Sequence, residues 1–185
     1  MNALQEEAEE LNSSLDGLLE RAEAEITVSF SKSPVDPRAQ ELINKTNQFS
    51  LNGKRFTDGR WLAHLKNPDT FLLVMSYRDK YGPLGKIAVL TGSREGEKLL
   101  VDTWVMSCRA FSRRVEHQCL SLLFERFAVD EIVFDFQATK RNEPLQEFFR
   151  ELFDDLPDTQ VRLSKELFLK KCPPLFHRVK ELEYA

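Results

Sequence analysis

Between residues 4 and 22 the apolar positions Leu4, Ala8, Leu11, Leu15, Leu18 and Ala22 recur at alternating spacings of four and three, the seam of an amphipathic, coiled-coil-like helix. Such a seam needs a surface to cover it, whether the body of the same chain, a second copy or another domain. Beyond it the period changes. Ile26, Val28 and Phe30 alternate in EITVSF as a strand, and Asp36 followed by Pro37 marks the N-cap and first position of a helix in DPRAQELINKTNQF. A second short helix fits TDGRWLAHLKN. Three runs of strand composition follow, TFLLVMSYR, GKIAVLTGS and KLLVDTWVMS, separated by turns at Tyr81-Gly82-Pro83 and Arg94-Glu95-Gly96, so an antiparallel meander is expected.

From Arg109 to Phe127 the side chains of Phe111, Val115, Cys119, Leu122, Leu123 and Phe127 share one helical face. EIVFDFQ then reads as a strand, PLQEFFREL as a helix, and TQVRLS with ELFLKK as the closing strand or strands. This order predicts an α+β domain in which helices flank a mixed, mostly antiparallel sheet, with no tandem repeat. A chain of 185 residues, 42% of them hydrophobic, buries one ordinary core. The expected organisation is an acidic helical arm over residues 1–24 and a single domain over residues 25–185.

Charge sharpens that division. Residues 1–25 carry eight acids against Arg21 alone, a net −7, while the whole chain is −4, leaving the body at +3. A mildly positive body suits an anionic cofactor or an acidic partner, and an ordinary solvated surface explains it equally well. Its basic residues are too sparse for a nucleic-acid surface. No run approaches eighteen apolar residues and the start of the chain lacks a basic-then-apolar leader, so a soluble cytoplasmic protein without membrane contact is expected. Cys108, Cys119 and Cys172 are scattered without metal-ligand spacing, which points to free thiols and no metal site.

Candidate chemistry concentrates in MSCRAFSRRVE. A helix start leaves backbone N–H groups unpaired and favours anions, and Arg109, Arg113 and Arg114 add charge there. The spacing Arg109-x-x-Ser112-x-Arg114 is a variant of the R/Q-x-x-G-x-G/A loop by which GNAT acyltransferases hold the pyrophosphate of coenzyme A, with both glycines replaced. Cys108 beside these cations is either a nucleophile with an enlarged thiolate fraction or a small core side chain at a strand end. His117 and Glu116 sit further along the same helix, where His117 can serve as a base only if its face meets the cleft. His64 and His177 read as surface or satisfied side chains. In Asp135-Phe136-Gln137-Ala138-Thr139, Gln137 stands where a D-x-D-x-T phosphatase needs its second aspartate, which excludes that chemistry. In ATKRNEP, Asn142 either reaches a pantetheine arm or caps the next helix.

Four blocks, RAQELINKTNQFSLNGKRF (38–56), RDKYGPLGKIAV (78–89), DTWVMSCRAFSRRVE (102–116) and ATKRNEP (138–144), occur in the same order as in the C-terminal GNAT-like half of the FkbH-like proteins, and the chain resembles that family over roughly residues 25–150. The resemblance implies a GNAT-like fold and an acyltransferase of polyketide biosynthesis. Such an enzyme loads a glyceryl unit onto the phosphopantetheine thiol of an acyl carrier protein, with no intrinsic cofactor and with coenzyme A as the alternative thiol. It further implies a haloacid-dehalogenase-type phosphatase half, missing here, so that the chain is expected to be either an excised or stand-alone second half or one whose acidic arm contacts a phosphatase domain or protein; the N-terminal helix is equally open to homo-oligomers. Residue by residue it implies that Cys108 holds the acyl group as a thioester. Arg109, Arg113 and Arg114 would bind phosphate or pantetheine together with Thr139 and Asn142. Asn44, Thr46, Asn47 and Gln48 would line the acyl pocket. The alternatives are a noncatalytic module that binds the carrier protein or phosphatase, and a coenzyme A-dependent N- or O-acetyltransferase.

Overall fold

The computed structural model describes residues 3–156 and 160–182; the first two residues of the expected arm, the start of TQVRLS and residues 183–185 lie outside them. Helix α1 (Ala3–Ala22) precedes strand β1 (Glu25–Ser29), helix α2 (Pro37–Lys45), the two-residue strand β2 (Phe49–Ser50) and helix α3 (Asp58–Lys66). The meander follows as β3 (Thr70–Asp79), β4 (Gly82–Glu95) and β5 (Lys98–Met106). Helix α4 (Val115–Phe127), β6 (Glu131–Phe134), α5 (Glu143–Phe153), β7 (Val161–Ser164), α6 (Lys165–Lys171) and β8 (Arg178–Glu181) complete the order.

The sheet runs β7-β6-β5-β4-β3-β1-β8, with β2 added to β5 off that path. Its centre is the expected antiparallel meander, while β1 with β8 and β5 with β6 are parallel. Alternation along β3 sorts the layers. Leu72 and Val74 pack with Val89 and Val105 under Ala39, Leu42 and Ile43 of α2 and Trp61 and Leu65 of α3. Leu73 and Met75 face the other way, into a larger core with Trp104, Val115, Cys119 and Leu123, and with Phe148, Phe149 and Phe168 of α5 and α6.

Local chemistry sets the boundaries. The Asp36 side chain accepts from Arg38 N at 3.0 Å with Pro37 at the first helical position, which starts α2. Thr57 caps α3 through Arg60 N at 3.3 Å. ELFLKK, expected as a strand, is α6: Ser164 accepts from Leu167 N at 3.1 Å, Glu166 lies in the first turn and Lys170 and Lys171 in the last. Those are helix-end signals, and they outweigh the apolar composition of a short segment. Strand β8, exposed along its length, has no apolar alternation to announce it. Helix α4 begins at Val115 instead of Arg109, because residues 108–114 form a 3-10 turn, Cys108–Ala110, and a loop.

One position in the meander is sterically fixed. The β4–β5 register shifts between Thr91, opposite Thr103, and Gly92, opposite Val101, so Asp102 is the extra residue of a bulge. A Cβ at Gly92 would stand 1.8 Å from the Leu100 carbonyl oxygen. Gly92→Ala is therefore expected to destabilise the protein by about 2 kcal/mol or more, read as a lowered urea midpoint; an unchanged midpoint would show that the bulge tolerates a side chain.

Candidate functional site

Strands β5 and β6 pair over Lys98–Val101 and Glu131–Phe134, keep one further bond from Asp135 N to Val101 O (2.9 Å), and then part. Parting parallel strands leave backbone donors and acceptors without ladder partners, which must be met from elsewhere. Here residues 49–52 enter the fork. Phe49 and Ser50 pair with Met106 and Val105, Leu51 N donates to Trp104 O at 2.9 Å, and Leu51 O accepts from Gln137 N at 3.1 Å. The Asn52 amide bridges both prongs, donating to Asp102 O (2.8 Å) and Asp135 O (2.9 Å). Asn142, fully buried, donates to Ser50 O (2.8 Å) and Gln137 O (3.0 Å) and accepts from Thr139 N (2.8 Å) and the Gln146 amide (2.7 Å).

These bonds assign the amide-rich residues to local architecture. The Asn44 side chain bonds both Phe56 N and Phe56 O at 2.8 Å, Thr46 ends α2 and offers its carbonyl to Arg55, and Asn47 accepts from Arg55 as well. Gln48 is exposed. Thr139 accepts from Arg141 N and Asn142 N, and Asn142 is saturated by its four partners. Asn44, Thr46 and Asn47 thus hold the loop after α2, and Thr139 and Asn142 the turn into α5. The structure brings none of them into the cavity described next.

Outside the fork, where β5 gives way to α4, lies a cavity of about 450 Å³. Phe49, Phe111 and Phe148 supply apolar wall, Leu15 of α1 lines it from above, and Arg114, Glu116, His117, Glu147, Glu151 and Lys171 are its charged or titratable lining. The loop leading to it carries Ser112 at φ 63° and Arg114 at φ 58°, left-handed conformations that glycine adopts most readily. These are the two positions at which the pyrophosphate-loop pattern places its glycines, so the conformation that glycine favours occurs here without glycine. Arg114 is buried; its guanidinium donates to Pro174 O at 2.8 Å and pairs with Asp16 Oδ1 of α1 at 2.5 Å.

Of the expected site residues, Arg114 and His117 meet at the cavity. His117 stands edge-on to Phe148, with ring centroids 5.1 Å apart. Its Nδ1 lies 3.5 Å from Glu116 Oε1 and is buried without a hydrogen bond. Arg113 turns away to stack over Tyr77 and to bond Arg109 O at 2.8 Å. Cys108 and Arg109 are exposed on the 3-10 turn, with the Arg109 side chain on Ser107 Oγ at 3.3 Å. Cys108 thus neither points into the core nor lines the cavity.

Glu147 and Glu151, one α-helical turn apart on α5, are members that the linear sequence did not single out. The carboxyl of Glu151 is raised above its ordinary value by partial burial and then by the charges of Glu147 and Glu116. The cavity thus combines the cations of Arg114 and Lys171 with the carboxyls of Glu116, Glu147 and Glu151 and the His117 imidazole. On the opposite face of the sheet, His64 Nε2 bonds Thr91 Oγ1 near Asp102 on the bulge, whose carboxyl burial raises. Among the described residues no cluster of His, Cys, Asp and Glu is placed to hold a metal ion, and no helix is long and apolar enough to cross a membrane.

No protein-family model matches the chain, and no curated protein matches it. Solved structures do. A spermidine N-acetyltransferase from Vibrio cholerae superposes with a TM-score of 0.51 over 78% of this chain and 96% of that one, at 11% identity. A GNAT-family acetyltransferase from Desulfovibrio desulfuricans gives 0.50 over 75% and 98%, at 9% identity. The chain has the GNAT acetyltransferase fold. On that GNAT frame the fork filled by residues 49–52 and the left-handed loop ahead of α4 are features of this chain's own backbone.

Two outcomes follow from the geometry around the loop. Ser112→Gly is expected to stabilise the protein by about 1 kcal/mol, the strain of a left-handed non-glycine residue, seen as a raised thermal midpoint. A destabilised variant would contradict the strain. His177 is half-buried, with Nε2 donating to Arg113 O at 2.7 Å, and this partial burial pushes its pKa below the ordinary histidine value. The unfolded chain then binds the extra proton, so this contribution is present above about pH 6.5 and is lost as pH falls below it. The urea midpoint should drop between pH 7.5 and 5.5, and drop less in His177→Gln; equal drops would remove His177 as the cause.

Proposed function

We propose that the chain is an acyltransferase that moves an acyl group to or from the thiol of a phosphopantetheine arm. The observation that carries this reading is the loop at residues 112–114, whose two left-handed residues bring a buried arginine to a cavity also lined by His117, whose Nδ1 makes no hydrogen bond. Arg114 and the start of α4 provide positive potential for the phosphate end of the arm or for the developing oxyanion. His117 takes the proton from the incoming nucleophile as it attacks the thioester carbonyl, and returns it to the departing thiolate when the tetrahedral intermediate collapses. Phe49, Phe111 and Phe148 hold the acyl chain and keep water out.

The resemblance to the FkbH-like proteins supports an acyl carrier protein as bearer of the arm, a glyceryl unit as the acyl group and a separate phosphatase-type partner. Exposed Cys108, on the same loop, is the thiol on which an acyl group would rest if transfer runs in two stages. A second reading is favoured by Glu116, Glu147 and Glu151: three carboxylates at one cavity attract an ammonium group, as coenzyme A-dependent transfer to an amine requires.

The test is release of free thiol from acyl-coenzyme A and acyl carrier protein thioesters, with intact-protein mass spectrometry on the same samples. His117→Ala should lower turnover by about 100-fold or more with an unchanged thermal midpoint, and Arg114→Gln should chiefly raise KM. A hydroxylamine-labile adduct that disappears in Cys108→Ser identifies the two-stage route. Absence of thiol release from every donor, or an unaffected His117→Ala, would overturn the assignment.

A further inference from the structure

Helix α1 is buried at its C-terminal end. Leu19 and Ala22 are buried and Ala22 O accepts from Lys80 N at 3.0 Å, whereas residues 3–7 and 9–14 are exposed. Leu4, Leu11 and Leu18 are 75%, 71% and 60% exposed, so the seam read from the sequence divides: its C-terminal part packs on the body and its leucine stripe faces outward. A twenty-residue helix with so little packing is marginal, and Gly17 lowers its intrinsic stability by about 1 kcal/mol relative to alanine. Such a segment belongs to the part of a structure that opens first.

Among the described residues, its ion pair to the body falls at the cavity. A buried guanidinium requires a compensating charge, and for Arg114 that charge is Asp16, whose side chain is 34% exposed against 6% for the arginine. The contacting oxygen, Asp16 Oδ1, is itself buried and makes no hydrogen bond, so a competing anion reaches the guanidinium only as the carboxylate leaves. Asn12 and Leu15 of the same helix line the cavity beside it. An aspartate here does what the anionic end of a donor would do, at the same guanidinium.

We propose that α1 is an acidic strap, with Asp16 occupying the anion position at Arg114 until the phosphate end of the acyl donor displaces it. The inference rests on the acyltransferase reading for the identity of the donor, and not for the competition itself. Binding requires the Asp16–Arg114 pair to break and the C-terminal half of α1 to lift from the cavity rim. The remaining acids of α1, Glu6, Glu7, Glu9, Glu10 and Glu20, repel stray anions from the closed form.

The experiment is calorimetric titration of the full chain with inorganic pyrophosphate, with hydrogen exchange of α1 measured in the same buffer. Asp16→Asn should bind pyrophosphate about tenfold tighter than wild type, Asp16→Glu should behave as wild type, and Arg114→Gln should lose the binding in either background. Pyrophosphate should accelerate exchange in residues 12–19 of the wild type. Equal affinity in wild type and Asp16→Asn, tighter binding that survives Arg114→Gln, or slower exchange in α1 would each overturn the strap. Asp16-dependent binding without any acyl transfer would overturn the acyltransferase reading and leave the strap standing. Acyl transfer with Asp16-independent binding would do the reverse.

Discussion

The parting of β5 and β6 is the constraint on which the rest of the molecule depends. Two parallel strands that separate beside a core expose backbone groups that neither water nor the ladder can serve, and each unserved group costs on the order of 1–3 kcal/mol. The chain answers with its own residues 49–52 and with two asparagines. Asn52 ties the prongs together. Asn142 ties the inserted segment to the turn into α5 and gives its carbonyl to Leu145 N and Gln146 N, the first turn of that helix. The fork therefore sets where α5 begins, and α5 in turn brings Phe148, Glu147 and Glu151 to the cavity.

Filling the fork has a chemical consequence. An extended, amide-bearing ligand could otherwise pair with the parted strands as a further strand; here those groups are already bonded. Recognition is left to the neighbouring cavity, where the means are different: a left-handed loop, a buried arginine, an imidazole and aromatic walls. The strain held at Ser112 and Arg114 belongs to this arrangement. Arg114, the left-handed N-cap of α4, reaches both Pro174 O and Asp16, while the exposed thiol of Cys108 lies outside the cavity lining.

The sequence made the periodic elements legible. Asp36-Pro37 marked α2, the two glycine-bearing turns delimited the meander, and the apolar face of PLQEFFREL placed α5. It also led to Arg114 and His117. Short elements escaped, because two residues of β2 carry no period and β8 buries no apolar side chain. The start of α4 was misplaced because Phe111 fits a helical face in projection, although the backbone reverses hand at Ser112. The amides of NKTNQF read equally well as ligands or as loop fasteners, and bonds to Phe56 and Arg55 place them in the loop. Glu147 and Glu151 look like ordinary solvent-facing positions of an amphipathic helix; only the packing of α5 against α4 gives them a cavity to face.

The central claim, that the donor arm is held at the α4 cavity and not within the fork, is tested most directly by hydrogen exchange of the intact protein with and without saturating coenzyme A. New protection is expected at residues 111–118 and 144–152, with residues 49–52 and 102–106 unchanged because their backbone groups are already paired. Protection confined to the fork, or displacement of residues 49–52 on binding, would contradict it.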